Sequence, residues 1–519
     1  MRRWLRDPLL LLVLIAALTA IAVQSGEVGT SDTMHRLQST HSFWTHEPPV
    51  FPNEYPEFGV HGRDGKLQSW YGIGQSLLML PADIIGTGIE NLHIFDSYRG
   101  TDPTIRDIVV TYTTNTLIAV LTVLVCFRFL RQLRFTVKQT AIGVLALFFA
   151  TTHLHYTQNM MENNYIFLLT LTGFSFFYEW TETGGRRALF IGAGAFGLNL
   201  LTRLTTGLDL IAGCLFALLV LWMHGADLRG KFRQFVTTAV PVVAIFVFLD
   251  RLYQFYRFGA WFTTYLGLMA QETKQRDPSL PANFPFSTSF HQGFFGALFA
   301  PEKSVFLFDP LLVLTILLAL FAWKRFSREA KAYVVVTALL LLADLSFYAR
   351  YYSWSGDFAW GDRYVSTAAE LAVLLAVPLM LRHRTEIGPL FSVGIVIVVI
   401  STLIQVESLA FWMPLEIYQE EKFGHPTWVI WLRLTNIVAF ALGKFDAWGL
   451  NTPAMSEDPW DYVHISCWNF LPFLLKRVGE TPAWVVRLTT TLWLLCVAGL
   501  MAALWRLRNV LKSAETASS

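Results

Sequence analysis

The stretch 25–69 reads SGEVGTSDTMHRLQSTHSFWTHEPPVFPNEYPEFGVHGRDGKLQS and comes after an apolar run at 9–23. It carries Glu27, Asp32, His35, Arg36, Glu54, Glu57 and Asp64, whereas most of the chain beyond it alternates apolar runs with brief charged turns. Each unpaired polar group in hydrocarbon costs several kcal/mol, so a stretch this polar does not lie in lipid. It sits at a membrane face, and the chain downstream of it reads as the membrane domain beneath.

Composition agrees with that reading. Of 519 residues, 54% are hydrophobic and only 15% charged, where soluble domains carry about 25% charge. The shortfall runs the length of the chain, which indicates many spans rather than one anchor. Forty-two Phe and 18 Trp suit lipid-facing surfaces and interface belts. The net charge is +2 with no basic block, so nucleic acid is not an expected partner. Of the cysteines, Cys126, Cys214 and Cys496 lie in apolar segments and only Cys467 reads as exposed; no disulfide framework or thiolate metal site is implied. The first apolar run succeeds MRRWLR like a signal sequence, yet no small-x-small cleavage pattern comes after it, and it reads as a retained first helix.

The expected fold is an all-α polytopic membrane protein. Candidate spans are 8–24, 105–127, 137–152, 164–179, 188–203, 207–223, 235–252, 305–323, 332–347, 366–381, 388–405 and 485–505, twelve in all. With both termini cytoplasmic, every short basic turn falls on one side, and the long loops 25–104, 253–304, 348–365 and 406–484 fall on the other, as the positive-inside rule requires. The apolar pieces 73–89 and 428–442 contain Pro81 and Asp83, and Arg433 and Asn436; they read as interfacial helices. Residues 1–405 form a catalytic membrane domain, 406–484 an outer loop or small cap, and 485–519 the last span and tail. No internal repeat is evident, which counts against an inverted-repeat transporter.

Several polar islands are candidates for chemistry. Asp32 is placed to act as a general base near the hydrocarbon boundary, with Glu27 as substitute or metal ligand; the competing reading is two solvated loop acids. Asp64-Gly65 is a turn signal, after which Lys66 faces either phosphate or solvent. Gly72 and Gly74 permit close approach of backbone to a ligand or a helix. His153, His155, Asn159 and Glu162 form an outer turn; the histidine spacing suits substrate lining better than zinc. Glu162 with a first-loop acid would supply ligands for a divalent metal, though no cofactor is demanded. Arg203 is expected either to pair with Asp209 or to face an aqueous cavity. Lys303, in APEKS at 300–304, meets a phosphate or anchors the interface. Trp360-Gly361-Asp362-Arg363 lies within the aromatic-rich stretch 348–370.

Four segments carry a resemblance: SDTMHRLQST at 31–40, DGKLQSWYGIGQSLLMLP at 64–81, APEKSVFLFDP at 300–310 and YYSWSGDFAWGDRYV at 351–365. Together they resemble the GT-C superfamily of integral-membrane glycosyltransferases, closest in style to the RgtA/B/C/D-like group, which is related to protein mannosyltransferases and to aminoarabinose transferases of lipid A. The resemblance implies a GT-C-like bundle and a sugar donor linked to polyprenyl phosphate. It also implies inversion by direct displacement, and an acceptor hydroxyl on a cell-envelope glycan, lipid or protein at the outer face of the plasma membrane. In such families an acid of the first outer loop acts as base, a role that would pass to Asp32; Glu27 stands as the catalytic substitute by its position alone. The resemblance gives Arg363 a phosphate or donor role, beside which Lys303, Arg203 and Lys66 stand as the other candidates for the donor phosphate. His35, Arg36, Tyr71, Gln75, His153, Asn159, Glu162, Trp360 and Asp362 would line the substrate. The chain departs from the mannosyltransferases in having Ser31-Asp32 where they carry adjacent Asp-Glu, and from a WGPR-like block in having Asp362 at the proline position. The rival readings are a transporter or flippase of a lipid-linked substrate, a ligase or phosphotransferase that uses the same lipid carriers, and a non-catalytic assembly protein.

Overall fold

A computed structural model describes residues 7–51, 59–92, 103–357, 359–412, 415–416, 419–420, 424, 427–444, 467–477 and 481–516. The polar stretch after the first apolar run begins with a helix where a loop was expected. After α1 (Pro8–Val23), Gly29 turns the chain at φ +88°, and Thr30 then caps α2 (Ser31–Ser42) by accepting a hydrogen bond from the Thr33 amide. A threonine cap fixes a helix start even where few apolar residues succeed it. A two-stranded hairpin, β1 (Gly59–His61) and β2 (Leu67–Ser69), turns at Gly65 (φ +73°) as the Asp-Gly pair implies. It leads into α3 (Ile73–Glu90).

The membrane domain continues as α4 (Ile105–Gln132), α5 (Val137–Phe149), α6 (His153–Gln158), α7 (Asn163–Thr183), α8 (Arg186–Thr202), α9 (Gly207–Met223) and α10 (Leu228–Phe258). Next come α11 (Tyr265–Arg276), α12 (Phe290–Phe299), the single turn α13 (Val305–Phe308), α14 (Leu311–Ala322) and α15 (Arg328–Tyr348). The chain closes with α16 (Ser366–Val373), α17 (Ala376–Arg382), α18 (Leu390–Ser408), α19 (Val429–Ala441), α20 (Leu471–Arg477) and α21 (Ala483–Thr516).

Among the described residues, six helices are long and apolar enough to cross a membrane: 105–132, 204–223, 228–258, 328–348, 390–408 and 483–513. This makes the chain a multi-pass membrane protein. It does not support twelve spans, although each expected segment is helical. Helix α5 has 13 residues and reaches about 20 Å, short of the roughly 30 Å of hydrocarbon. Helix α14 stops after 12 residues. The segment 366–381 breaks between α16 and α17. Helix α7 has 21 residues but includes Asn163, Asn164, Glu179 and Glu182.

The interior is held by rings. Phe174 stacks on Phe216 at 5.5 Å, and Phe129 meets Tyr333 at 5.4 Å, joining α4, α7, α9 and α15. Between membrane helices the gain comes from close packing rather than from leaving water. Cys467, expected to be exposed, is buried. Helix α3 is pinned by Asp83, whose buried carboxylate accepts hydrogen bonds from Trp44 Nε1 (2.7 Å) and Arg106 Nε (2.5 Å), with His41 Nδ1 at 3.1 Å.

Candidate active site

Six of the expected residues share one cavity of about 180 Å³: Asp32, Arg36, Tyr71, Glu162, Arg203 and Arg363. Their delivery is local and legible. Asp32 lies in the first turn of α2, where the helix dipole favours a carboxylate, and Arg36 is one turn further along the same face. Tyr71 comes just after β2. A Cβ on Gly72 would lie 2.4 Å from the carbonyl oxygens of Leu201 and Thr202, so only glycine lets this segment meet the end of α8, where Arg203 emerges. Glu162 stands before α7. Arg363 ends the loop before α16, and its carbonyl accepts a hydrogen bond from Asn163 Nδ2 at 2.6 Å.

Both oxygens of Asp32 are engaged. The Tyr71 hydroxyl donates to Oδ1 at 2.7 Å, and Arg363 Nη1 donates to Oδ2 at 2.6 Å. Glu162 sits between two guanidinium groups, with Arg36 Nη2 2.6 Å from Oε2 and Arg203 on Oε1. The Arg36 guanidinium lies 4.1 Å over the Tyr71 ring. Burial pushes the Asp32 carboxyl up, but Arg363, Arg36 and the Tyr71 hydroxyl outweigh it and hold the group well below the usual carboxylate range. Glu162 obeys the same logic: burial raises it, and Arg36, Arg203 and Arg363 bring it to about 2.

Three guanidinium groups thus face two buried carboxylates, and two donors have no hydrogen-bond partner: Arg36 Nη1 and Arg363 Nε. Aromatic rings share the lining, among them Trp70, Tyr265, Tyr348, Tyr351, Tyr352 and Tyr364, and Arg203 and Arg363 lie 5.5 and 5.2 Å from the Tyr364 ring. Tyr348 and Tyr364 are stacked at 4.5 Å. Tyr348, Tyr351, Tyr352 and Tyr364 come from the aromatic-rich stretch 348–370 singled out in the sequence, whereas nothing in the chain around Tyr265 marks it.

The remaining candidates lie elsewhere. Lys66 is exposed beyond the hairpin turn. Glu27 and His35 are buried outside the cavity, and Gln75 is fully buried in α3. His153 Nδ1 is 3.2 Å from Glu370 Oε2, within a closed knot in which Thr152 also binds Asp309. Asn159 Nδ2 is 3.1 Å from His155 Nε2. Trp360 is buried edge-on against Phe308. Asp362 accepts from the Tyr364 amide at 2.9 Å, and burial raises its carboxyl to about 7. Lys303, expected at a phosphate, directs Nζ to backbone carbonyls instead. Arg203 pairs with Glu162, not with Asp209. Among the described residues, no three His, Cys, Asp or Glu gather as metal ligands. The arginines around Asp32 and Glu162 would repel a cation, so a divalent ion does not fit there.

No protein-family model matches the chain, and no curated protein matches it. Among solved structures, the chain is similar to ArnT from Cupriavidus metallidurans bound to undecaprenyl phosphate, at 13% identity and a TM-score of 0.45, over 96% of this chain and 77% of that one.

Proposed function

We propose that this protein is an inverting GT-C-type glycosyltransferase. It moves a sugar from a polyprenyl-phosphate-linked donor to a hydroxyl of a cell-envelope glycan, lipid or protein at the non-cytoplasmic face of the plasma membrane. The observation that carries this reading is the cavity in which a largely buried carboxylate, Asp32, stands among three arginines, two of them with a donor to spare, and is lined also by aromatic rings. Spare guanidinium donors suit phosphate, and aromatic faces suit a sugar ring. The four resembling sequence segments point the same way.

In this mechanism the donor phosphate binds between Arg36, Arg203 and Arg363. The acceptor oxygen attacks the anomeric carbon and gives its proton to Asp32. The bond from that carbon to the phosphate oxygen breaks, and its electron pair leaves on the lipid phosphate. A carboxylate gripped by Arg363 and Tyr71 is a weak base in the resting site. Phosphate competes for Arg363 and Arg36, loosening that grip, so base strength rises as the donor arrives. The arginines then stabilise the charge developing on the leaving group.

The test uses the full chain in proteoliposomes with radiolabelled polyprenyl-phosphate sugars. Wild type should release free lipid phosphate and a glycosylated product. Asp32→Asn should lower turnover by roughly 10²–10⁴-fold, the range for loss of a general base, while retaining alkyl-phosphate binding. Full turnover in that variant rejects Asp32 as base. Label that crosses the bilayer without transfer identifies a flippase instead.

A further inference from the structure

Two buried cations beside the cavity do not line it. Arg257, near the end of α10, directs Nη1 to the carbonyl oxygens of Ser69 and Tyr71, the latter at 3.0 Å. Its Nη2 donates to Gln254 Oε1 at 3.2 Å. Lys303 directs Nζ to the carbonyl oxygens of Asp357 (2.6 Å), Ala359 (2.9 Å) and Gly361 (3.3 Å). An ammonium has three donors, so Lys303 has none left for a ligand.

Each cation therefore grips the main chain of one segment, and those two segments supply the two partners of Asp32. The segment 69–71 brings the Tyr71 hydroxyl to Oδ1; the segment 359–363, with Asp357 before it, brings Arg363 to Oδ2. Neither is held by a long regular element. Tyr71 comes after a three-residue strand, and the other segment has left-handed backbone at Asp357 (φ 52°) and Gly361 (φ 70°). A buried cation that binds several carbonyls at once fixes the path of the chain between them.

We propose that Arg257 and Lys303 are paired positioning residues, each clamping the backbone of one segment so that Tyr71 and Arg363 grip opposite oxygens of Asp32. The clamp concerns the surroundings of Asp32 and stands whether or not transfer occurs. Its consequence for turnover rests on the transfer reading above.

The experiment is infrared difference spectroscopy on the full chain in nanodiscs. It tracks, against pH, the protonated-carboxyl band that Asp32→Asn removes. In wild type that band should be absent down to about pH 4, the ordinary carboxylate range. Arg257→Met and Lys303→Met should each loosen one grip, and the band should appear at least one pH unit higher than in wild type. Arg257→Lys should show a smaller shift in the same direction. Arg128→Met is the control for general destabilisation. Arg128 pairs with Glu179, 17 residues along the chain from Glu162 and about 25 Å away on a helical rise. It should lower the melting temperature and leave the band unmoved.

A folded Arg257→Met or Lys303→Met protein whose Asp32 band titrates as in wild type overturns the proposal. If a methionine variant does not fold, Arg257→Lys and Lys303→Gln decide the matter by the same criterion. Where transfer is measurable, both clamp variants should lower kcat more than they raise KM for donor. The expected infrared shifts with no transfer by wild type would reject the transfer reading alone.

Discussion

Two buried charge clusters use the same chemistry to opposite ends. In the first, Arg433 of α19 binds Glu416 in a fork, with Nε and Nη2 each 2.6 Å from a carboxylate oxygen. Its remaining donors reach the carbonyls of Ser408 (3.0 Å), Phe411 (2.8 Å) and Trp412 (3.2 Å). Arg433 is 0% exposed. A guanidinium has five donors, and among the described residues alone this one makes five such bonds. In the second cluster, around Asp32, the arginines line a cavity and keep donors in reserve at Arg36 Nη1 and Arg363 Nε. Saturation marks a knot that ties the end of α18, Phe411, Trp412 and Glu416 to α19. In the proposed reading, the donors left over beside the cavity are the ones a donor phosphate would take up. A spare donor alone does not separate the two kinds, since Arg257 Nε also lacks a partner away from the cavity; the proposed distinction needs the cavity as well.

That contrast can be broken experimentally. The largest effect should come from the saturated knot: Arg433→Met leaves Glu416 buried without its counter-ion and should cost about 3–5 kcal/mol of stability. It would be read as a fall in denaturation midpoint, with alkyl-phosphate affinity of the folded fraction kept within about 0.5 kcal/mol. Loss of affinity at unchanged stability would erase the distinction between the clusters.

Next is the acid limb of the stability profile. The Glu162 carboxyl is held at about 2, below its unfolded value of about 4.3. Its ion pairs therefore stabilise the fold fully above about pH 5, and that contribution is lost as pH falls through about 4 toward about 2. Asp32, also depressed, acts in the same direction. Melting temperatures should show no loss from these two groups between about pH 8 and 5 and a fall below that; Glu162→Gln should flatten the fall. A steep change near neutrality that disappears in Glu162→Gln would contradict the pairing.

Smaller again, Arg36→Gln removes the spare Nη1 donor and should weaken dodecyl phosphate binding roughly tenfold to a hundredfold in calorimetry, the range for a hydrogen bond to a charged group. Smallest of all, Lys66→Ala at the exposed hairpin should change neither binding nor stability by more than about 0.5 kcal/mol. A tenfold loss there would return Lys66 to the phosphate site.

Some of the site was readable because chemistry and position coincide in the chain. Asp32 stands out as an acid just beyond the first apolar run, and Gly72 and Gly74 announce a close backbone approach that the end of α8 supplies. Arg363 stands out among aromatic residues. Lys303 misled because sequence displays its charge but not its partners: a lysine wrapped by three carbonyls and a lysine facing phosphate look alike in one dimension. Asp209 misled for a related reason. It is the acid nearest Arg203 along the chain, while the acid nearest in space, Glu162, comes from the start of another helix. The helical character of 31–42 was missed because its few apolar residues hide the period, and the Thr30 cap that starts it is one residue long.

What the amino-acid order determined by itself is the solvent of this protein. An excess of apolar residues spread along the chain, broken by brief charged turns, requires helices in a bilayer, since only helices satisfy their own backbone there. What only the tertiary structure decided is which charges remain available. Whether a buried cation is saturated or holds a donor in reserve depends on carbonyls and carboxylates brought from distant segments. No local pattern encodes the meeting of α2, the β2–α3 link, the start of α7, the end of α8 and the 359–364 loop around one carboxylate.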